Sequence, residues 1–168
     1  MTNRTEKQCN AEPANVAFGF VKEFFYRIDM KSIENVLRDN LKADMGNDNS
    51  SGKHSAFETN HQVGNTVTIL QFLRTFPAQL STINVNENEA LKEIQNRFHQ
   101  FDYEKADIII CDGLKAWIYQ DEDQENACIE YAFRISKVYN EARELLEMCW
   151  DFCELQKNTI VQKGGAKC

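Results

Sequence analysis

The chain has 168 residues, 42% of them hydrophobic, with 11 Phe, 5 Tyr and 2 Trp. That is enough for one domain with a packed core and too little for two ordinary ones. A net charge of −7 counts against broad, sequence-independent binding to nucleic acid, which needs a basic surface.

Residues 1–12 are polar and are expected to form a disordered tail. Pro13 suits the first turn of a helix, where its missing N–H costs nothing. Val16, Phe20, Phe24 and Ile28 then recur at helical spacing, with Val21 and Phe25 beside them. Ser32 is expected to cap a second helix in which Ile33, Val36, Leu37 and Leu41 face inward. Gly46 to Gly52 reads as a loop, and Lys53 to Asn60 as a strand. A Gly64-Asn65 turn opens a third helix carrying Val67, Leu70, Phe72, Leu73 and Phe76, which Pro77 stops. Leu80 to Val85 alternates as a half-buried strand does. Glu87 to Phe101 reads as a helix with Leu91, Ile94, Phe98 and Phe101 on one side. Ala106 to Cys111 is an apolar β-branched run of interior-strand type, continued by Leu114 to Tyr119, and 121–126 is an acidic connection.

The last third admits two readings. With period two, Ile129, Tyr131, Phe133 and Ile135 line one face of a strand, and Leu146, Met148, Trp150 and Phe152 line another. With period 3.6, Cys128, Tyr131, Ala132, Ile135, Val138, Ala142, Leu145, Cys149, Phe152 and Gln156 make a nearly continuous helical stripe. The Ala, Glu, Arg and Leu content of 141–147 favours the helix on intrinsic propensity.

Four segments together resemble the nuclear transport factor 2-like superfamily, and within it the small NXT-type partners of messenger-RNA export receptors. They are Phe20-Val21-x-x-Phe24-Phe25-x-x-x-Asp29 with Leu37 downstream; Asn60-His61-Gln62-Val63-Gly64 followed by Ile69, Phe72, Leu73 and Pro77; Ile108-Ile109-Ile110-Cys111-x-Gly113-Leu114-Lys115; and Phe133-Arg134-Ile135 with Cys149-Trp150-Asp151-Phe152. The resemblance implies an α+β cone over 13–157, a curved antiparallel sheet wrapped around about three N-terminal helices, followed by a flexible tail at 158–168; the extra helix near 87–101 departs from the family, which usually joins the two flanking strands by a simpler loop. The resemblance makes 127–139 and 144–156 strands. It also implies a non-enzymatic protein that pairs through its open sheet with an NXF/TAP-type export receptor or a divergent paralogue, shuttling between nucleus and cytoplasm and helping to bind Phe-Gly nucleoporins. The interface residues would be Tyr131, Phe133, Arg134, Ile135, Trp150, Phe152 and Glu154, the aromatic ones as anchors. Glu154 departs from the family, which commonly has an Arg there, so a partner carrying a complementary base is expected.

Two alternatives follow from the same superfamily: a homodimeric carrier of the GDP form of the small GTPase Ran, and a cone-pocket isomerase or dehydratase. For the second, the candidate proton-transfer groups are Asp29, Asp44, His54, His61, Asp112 and Tyr26. No spacing fixes two of these together. A metal held by Cys149 and Cys153 with His54, His61 or His99 requires a helix, since positions four apart on a strand lie about 13 Å from each other. An all-helical adaptor is the remaining alternative. No cofactor is indicated, the Gly64 turn having no phosphate-binding glycine pattern. No apolar run approaches the roughly 20 residues needed to cross a bilayer, the first residues lack the apolar stretch of a secretory signal, and Cys168 is misplaced for a prenylation box. A cytosolic or nuclear protein with reduced cysteines is therefore expected.

Overall fold

The structure, a computed structural model, describes residues 13–46, 54–85, 88–119 and 129–165. Those residues form six helices and no strand: α1 (Pro13–Arg27), α2 (Met30–Asp44), α3 (Ala56–Leu80), α4 (Glu89–Gln100), α5 (Tyr103–Tyr119) and α6 (Ile129–Gly165). The α+β cone and its curved sheet are thereby overturned. The tail at 1–12 and the acidic connection at 121–126 lie outside the described residues. So do 166–168, while α6 runs on through 158–165, where a tail is expected.

The errors have identifiable causes. In α5, Ile108 and Ile110 would share a face of a strand, yet Ile108 is 61% exposed and Ile110 is fully buried. The buried set Ala106, Ile110, Gly113, Leu114 and Trp117 instead follows a helical stripe, so packing overrides the β-branched propensity of the isoleucine run. In α6 the buried positions Ile135, Val138, Ala142, Leu145, Cys149 and Phe152 step by three and four. A strand would put the members three apart (135/138, 142/145 and 149/152) on opposite faces, so the series could not share one buried face. The 3.6 period governs this segment, and the strands expected at 127–139 and 144–156 do not form among the described residues.

Helix boundaries moved for local reasons. Asp29, not Ser32, caps α2: its carboxylate accepts the Ser32 amide at 2.8 Å and the Ser32 hydroxyl at 3.0 Å. Ser55 and Glu58 form a capping box, the Ser55 amide donating to the Glu58 carboxylate at 2.8 Å and the Glu58 amide donating back to the Ser55 hydroxyl at 3.2 Å. That box starts α3 nine residues ahead of Asn65, and Gly64 lies inside the helix. Pro77 is also inside it. The missing proline N–H weakens the last turn, but Phe76 and Leu80 on either side are buried and carry the helix past it. Neither the strand at 53–60 nor the one at 80–85 forms among the described residues. The segment read as an inserted helix at 87–101 is α4, capped by the Asn88 side chain accepting the Leu91 amide at 3.0 Å.

Each of the four shorter helices packs against both long ones, α3 and α6, and α2 also packs closely on α5. The aromatic content makes one continuous run through this core. Trp150 of α6 meets Phe25 of α1 edge-on at 4.9 Å, Phe24 stacks on Phe72 of α3 at 4.0 Å, and Phe72 leads through Phe76 to Phe98 of α4. One buried polar cluster pins α2 to α3: Asn40 donates to the Thr66 hydroxyl at 3.1 Å, and Gln62 donates to the Asn40 side-chain oxygen at 2.8 Å and the Val36 carbonyl at 3.2 Å. Being hydrogen-bonded to one another, these groups set the α2–α3 register without the penalty of orphaned burial.

Candidate functional site

The candidate proton-transfer groups do not gather at one site: His54 and His61 border one cleft, and Asp44 has the Asp112 charge near it. Asp29 is consumed as the α2 cap, and the Ser32 amide holds its carboxyl below the usual carboxylate range. Tyr26 is 91% exposed. His61 lies on α3 against Asn65, with ring and amide nitrogens 3.1 Å apart. Asp112 pairs with Lys115 one turn along α5, at 2.7 Å. His54 stacks on Trp117 of α5, ring centres 3.6 Å apart. These two rings, with Phe57, His61, Lys42 and Asp39, border an open cleft of about 520 Å³.

Asp44 and Tyr131 come together at the junction of α2 with α6. The Tyr131 hydroxyl donates to one Asp44 carboxylate oxygen at 3.3 Å. The other oxygen is buried with no hydrogen-bond partner among the described residues. Burial pushes the Asp44 carboxyl up to about 6, the Tyr131 hydrogen bond opposing and the nearby Asp112 charge adding to it. Because the folded value lies above the unfolded one of 3.8, the folded chain binds the extra proton between about pH 4 and pH 6. Stability is therefore greatest below that window and falls as pH rises through it. Two pH units would be a ceiling of about 3 kcal/mol, and solvent at this half-buried site reduces it to about 1–2 kcal/mol. Asp44→Asn is thus expected to be more stable than the parent near pH 7 and equal to it near pH 4, as read by chemical denaturation at both values. A variant less stable near pH 7 would contradict the assignment.

The metal reading gains its helix but not its site. Cys149 and Cys153 sit one turn apart on α6, both buried, and burial pushes both thiols up and away from the thiolate a metal needs. Among the described residues no group of three or more His, Cys, Asp and Glu side chains is placed to hold a metal ion. None of the described helices is long and apolar enough to cross a membrane.

The seven residues expected to form a sheet interface are scattered around α6. Ile135 and Phe152 are core residues. Trp150 is half-buried against Phe25, with the Lys157 ammonium 5.2 Å from its ring centre. Glu154 pairs with Lys157 at 2.6 Å, so its charge is already answered within the chain. Phe133 is 73% exposed, Arg134 is exposed, and Tyr131 is tied to Asp44.

What α6 does present is a groove against α4. Positions 144, 147, 148, 151, 152 and 155 recur at helical spacing on α6 and face 90, 93, 94 and 97 of α4 across a trough of about 540 Å³. Its floor is Ala90, Ile94, Met148 and Phe152, with Leu155, 59% exposed, at one end. Its walls carry Glu93, Glu144, Glu147 and Asp151. Arg97 reaches across to Glu144 at 2.8 Å and closes the other end. Glu147 is engaged by Arg143 of its own helix at 3.4 Å, whereas Glu93 and Asp151 have no counter-ion among the described residues. Of these side chains sequence reasoning named Ile94, Met148, Asp151 and Phe152, and none of them as part of a groove. The signal is the same 3.6 period that identifies α6, read on its polar flank. No family model, no curated protein and no solved structure matches this chain, so no relative assigns a role to any of these residues.

Proposed function

We propose that this chain is a non-enzymatic protein-interaction module that docks a segment of a partner in the groove between α4 and α6. The observation that carries this reading is the groove itself, in which part-exposed Ala90 and Met148 and exposed Leu155 lie over the buried Ile94 and Phe152, between two helices whose apolar faces pack into the core. The proton-transfer candidates support it by their separate structural uses as cap, stack and ion pair. An NXF/TAP-type export receptor or a divergent paralogue, with the nuclear shuttling that goes with it, is carried forward only as one identity for the partner, resting on the sequence resemblance. Sheet-to-sheet pairing is not carried forward, since the described residues contain no strand.

The test is capture of partners from cell extract by the parent chain and by two variants. Leu155→Asp puts a charge on the groove floor, and Phe133→Asp puts one on the exposed residue of the abandoned interface. A protein retained in equal amount by the parent and by Phe133→Asp, and lost with Leu155→Asp, is the expected result. Retention by Leu155→Asp and loss with Phe133→Asp would move the docking surface to the first turns of α6.

A further inference from the structure

Resting on that reading, we infer that the α4–α6 groove is built for a cationic amphipathic helix of a protein partner. Three features select this occupant. The first is shape: the lining of α6 from Glu144 to Leu155 runs about 16 Å at 1.5 Å per residue, room for roughly three turns of a helix lying along it. The second is the backbone. Both walls are helices that satisfy their own N–H and C=O groups internally, so an extended peptide would find no ladder to join, whereas a helix brings its backbone already paired.

The third is charge. Four carboxylates stand on the walls against the single guanidinium of Arg97, which is spent on Glu144. Glu93 on the α4 wall and Asp151 on the α6 wall, facing each other across the apolar floor, are without counter-ions among the described residues. A helix with Leu, Ile or Met at i, i+3 or i+4 and i+7, flanked by Lys or Arg, would set its apolar stripe on Ala90, Met148 and Leu155, the lining residues that solvent reaches, and its ammonium or guanidinium groups on Glu93 and Asp151. An acidic helix of the same shape would face like charges on both walls.

The experiment uses the full chain and a fluorescently labelled synthetic Leu/Lys amphipathic helix of about 18 residues, long enough to hold helix when bound. Its isomer with every flanking Lys replaced by Gln serves as the neutral probe. The chain is tested unaltered, as Glu93→Lys/Asp151→Lys, and as Glu34→Lys/Glu104→Lys, a pair of exposed residues away from the groove that changes net charge equally. Circular dichroism confirms that both variants keep the parent helicity.

Saturable one-to-one binding of the Lys peptide is expected, about tenfold or more tighter than the Gln peptide and weakened by salt. It should be lost in the groove variant and kept in the control variant. Equal affinity for the two peptides would overturn the cationic class and leave the docking groove standing. Equal loss in both variants would reduce the effect to net charge and overturn the assignment to the groove. No binding of either peptide would overturn the helical occupant, and the docking reading would then be judged by capture with Leu155→Asp.

Discussion

Gly113→Ala is expected to lower stability by about 3 kcal/mol and Tm by about 10 °C, measured by thermal and chemical denaturation. Gly113 sits on α5 where α2 and α6 both press closest. A Cβ there would overlap the Tyr139 hydroxyl and approach the Asn40 carbonyl oxygen to 2.7 Å. The first obstacle is the end of a side chain. The second is the backbone of α2, which cannot shift without disturbing the Asn40–Gln62–Thr66 cluster. Removing the first obstacle with Tyr139→Phe should therefore rescue Gly113→Ala only in part. Gly64→Ala provides the contrast: nothing lies within 4 Å of its Cβ, and a mid-helix Ala should stabilise the protein by about 0.5–1 kcal/mol. If both glycine substitutions had the same effect, the close α2–α5–α6 crossing would be wrong.

Phe152→Ala is expected to cost about 3–5 kcal/mol, against a change within about 0.5 kcal/mol for Phe133→Ala. The sequence reading gives these two residues the same role, since period two lines up 131, 133 and 135 on one strand and 150 and 152 on another. On a helix their environments part. Phe152 is enclosed in the core, and Phe133 points away from it. Truncating Phe152 leaves a cavity that neighbouring side chains fill only partly, which adds to the lost transfer free energy. Equal small losses for both, accompanied by weakened partner capture, would restore the paired aromatic interface.

Much of the core was legible residue by residue, and the fold was not. Ile33, Val36 and Leu37 are inside as their spacing predicts, and so are Phe24, Phe25, Phe72, Leu73 and Phe76. The stripe of α1 is rotated: Ala17 and Val21 lie at its centre, and Phe20 lies toward solvent. Hydrophobicity alone ranks Phe20 above Ala17, and only the packing of α3 and α6 against that face reverses the order. The fold failed where local propensity and tertiary packing disagree. Three consecutive isoleucines at 108–110 favour strand, and Gly64 and Pro77 are ordinary helix breakers. The isoleucines and the Pro77 turn are held in helix by core packing of Ile110, Phe76 and Leu80, and exposed Gly64 lies within a helix already started at the Ser55–Glu58 box. The period-3.6 stripe of the last third was visible, and the resemblance to a sheet-bearing family outweighed it. The groove was illegible for a related reason. Its walls come from positions 90–97 and 144–155, and nothing in the sequence shows that α4 and α6 lie side by side.

The central claim is that 129–159 is one uninterrupted helix, for that helix supplies both the core face and the α6 wall of the groove. Backbone chemical shifts of the labelled full chain measure this residue by residue. Helical Cα and carbonyl shifts through Tyr131–Asn158, with no break between 139 and 144, are expected. Two stretches of extended shifts at 127–139 and 144–156, joined by a turn, would contradict the helix, dissolve the groove and return the chain to a sheet.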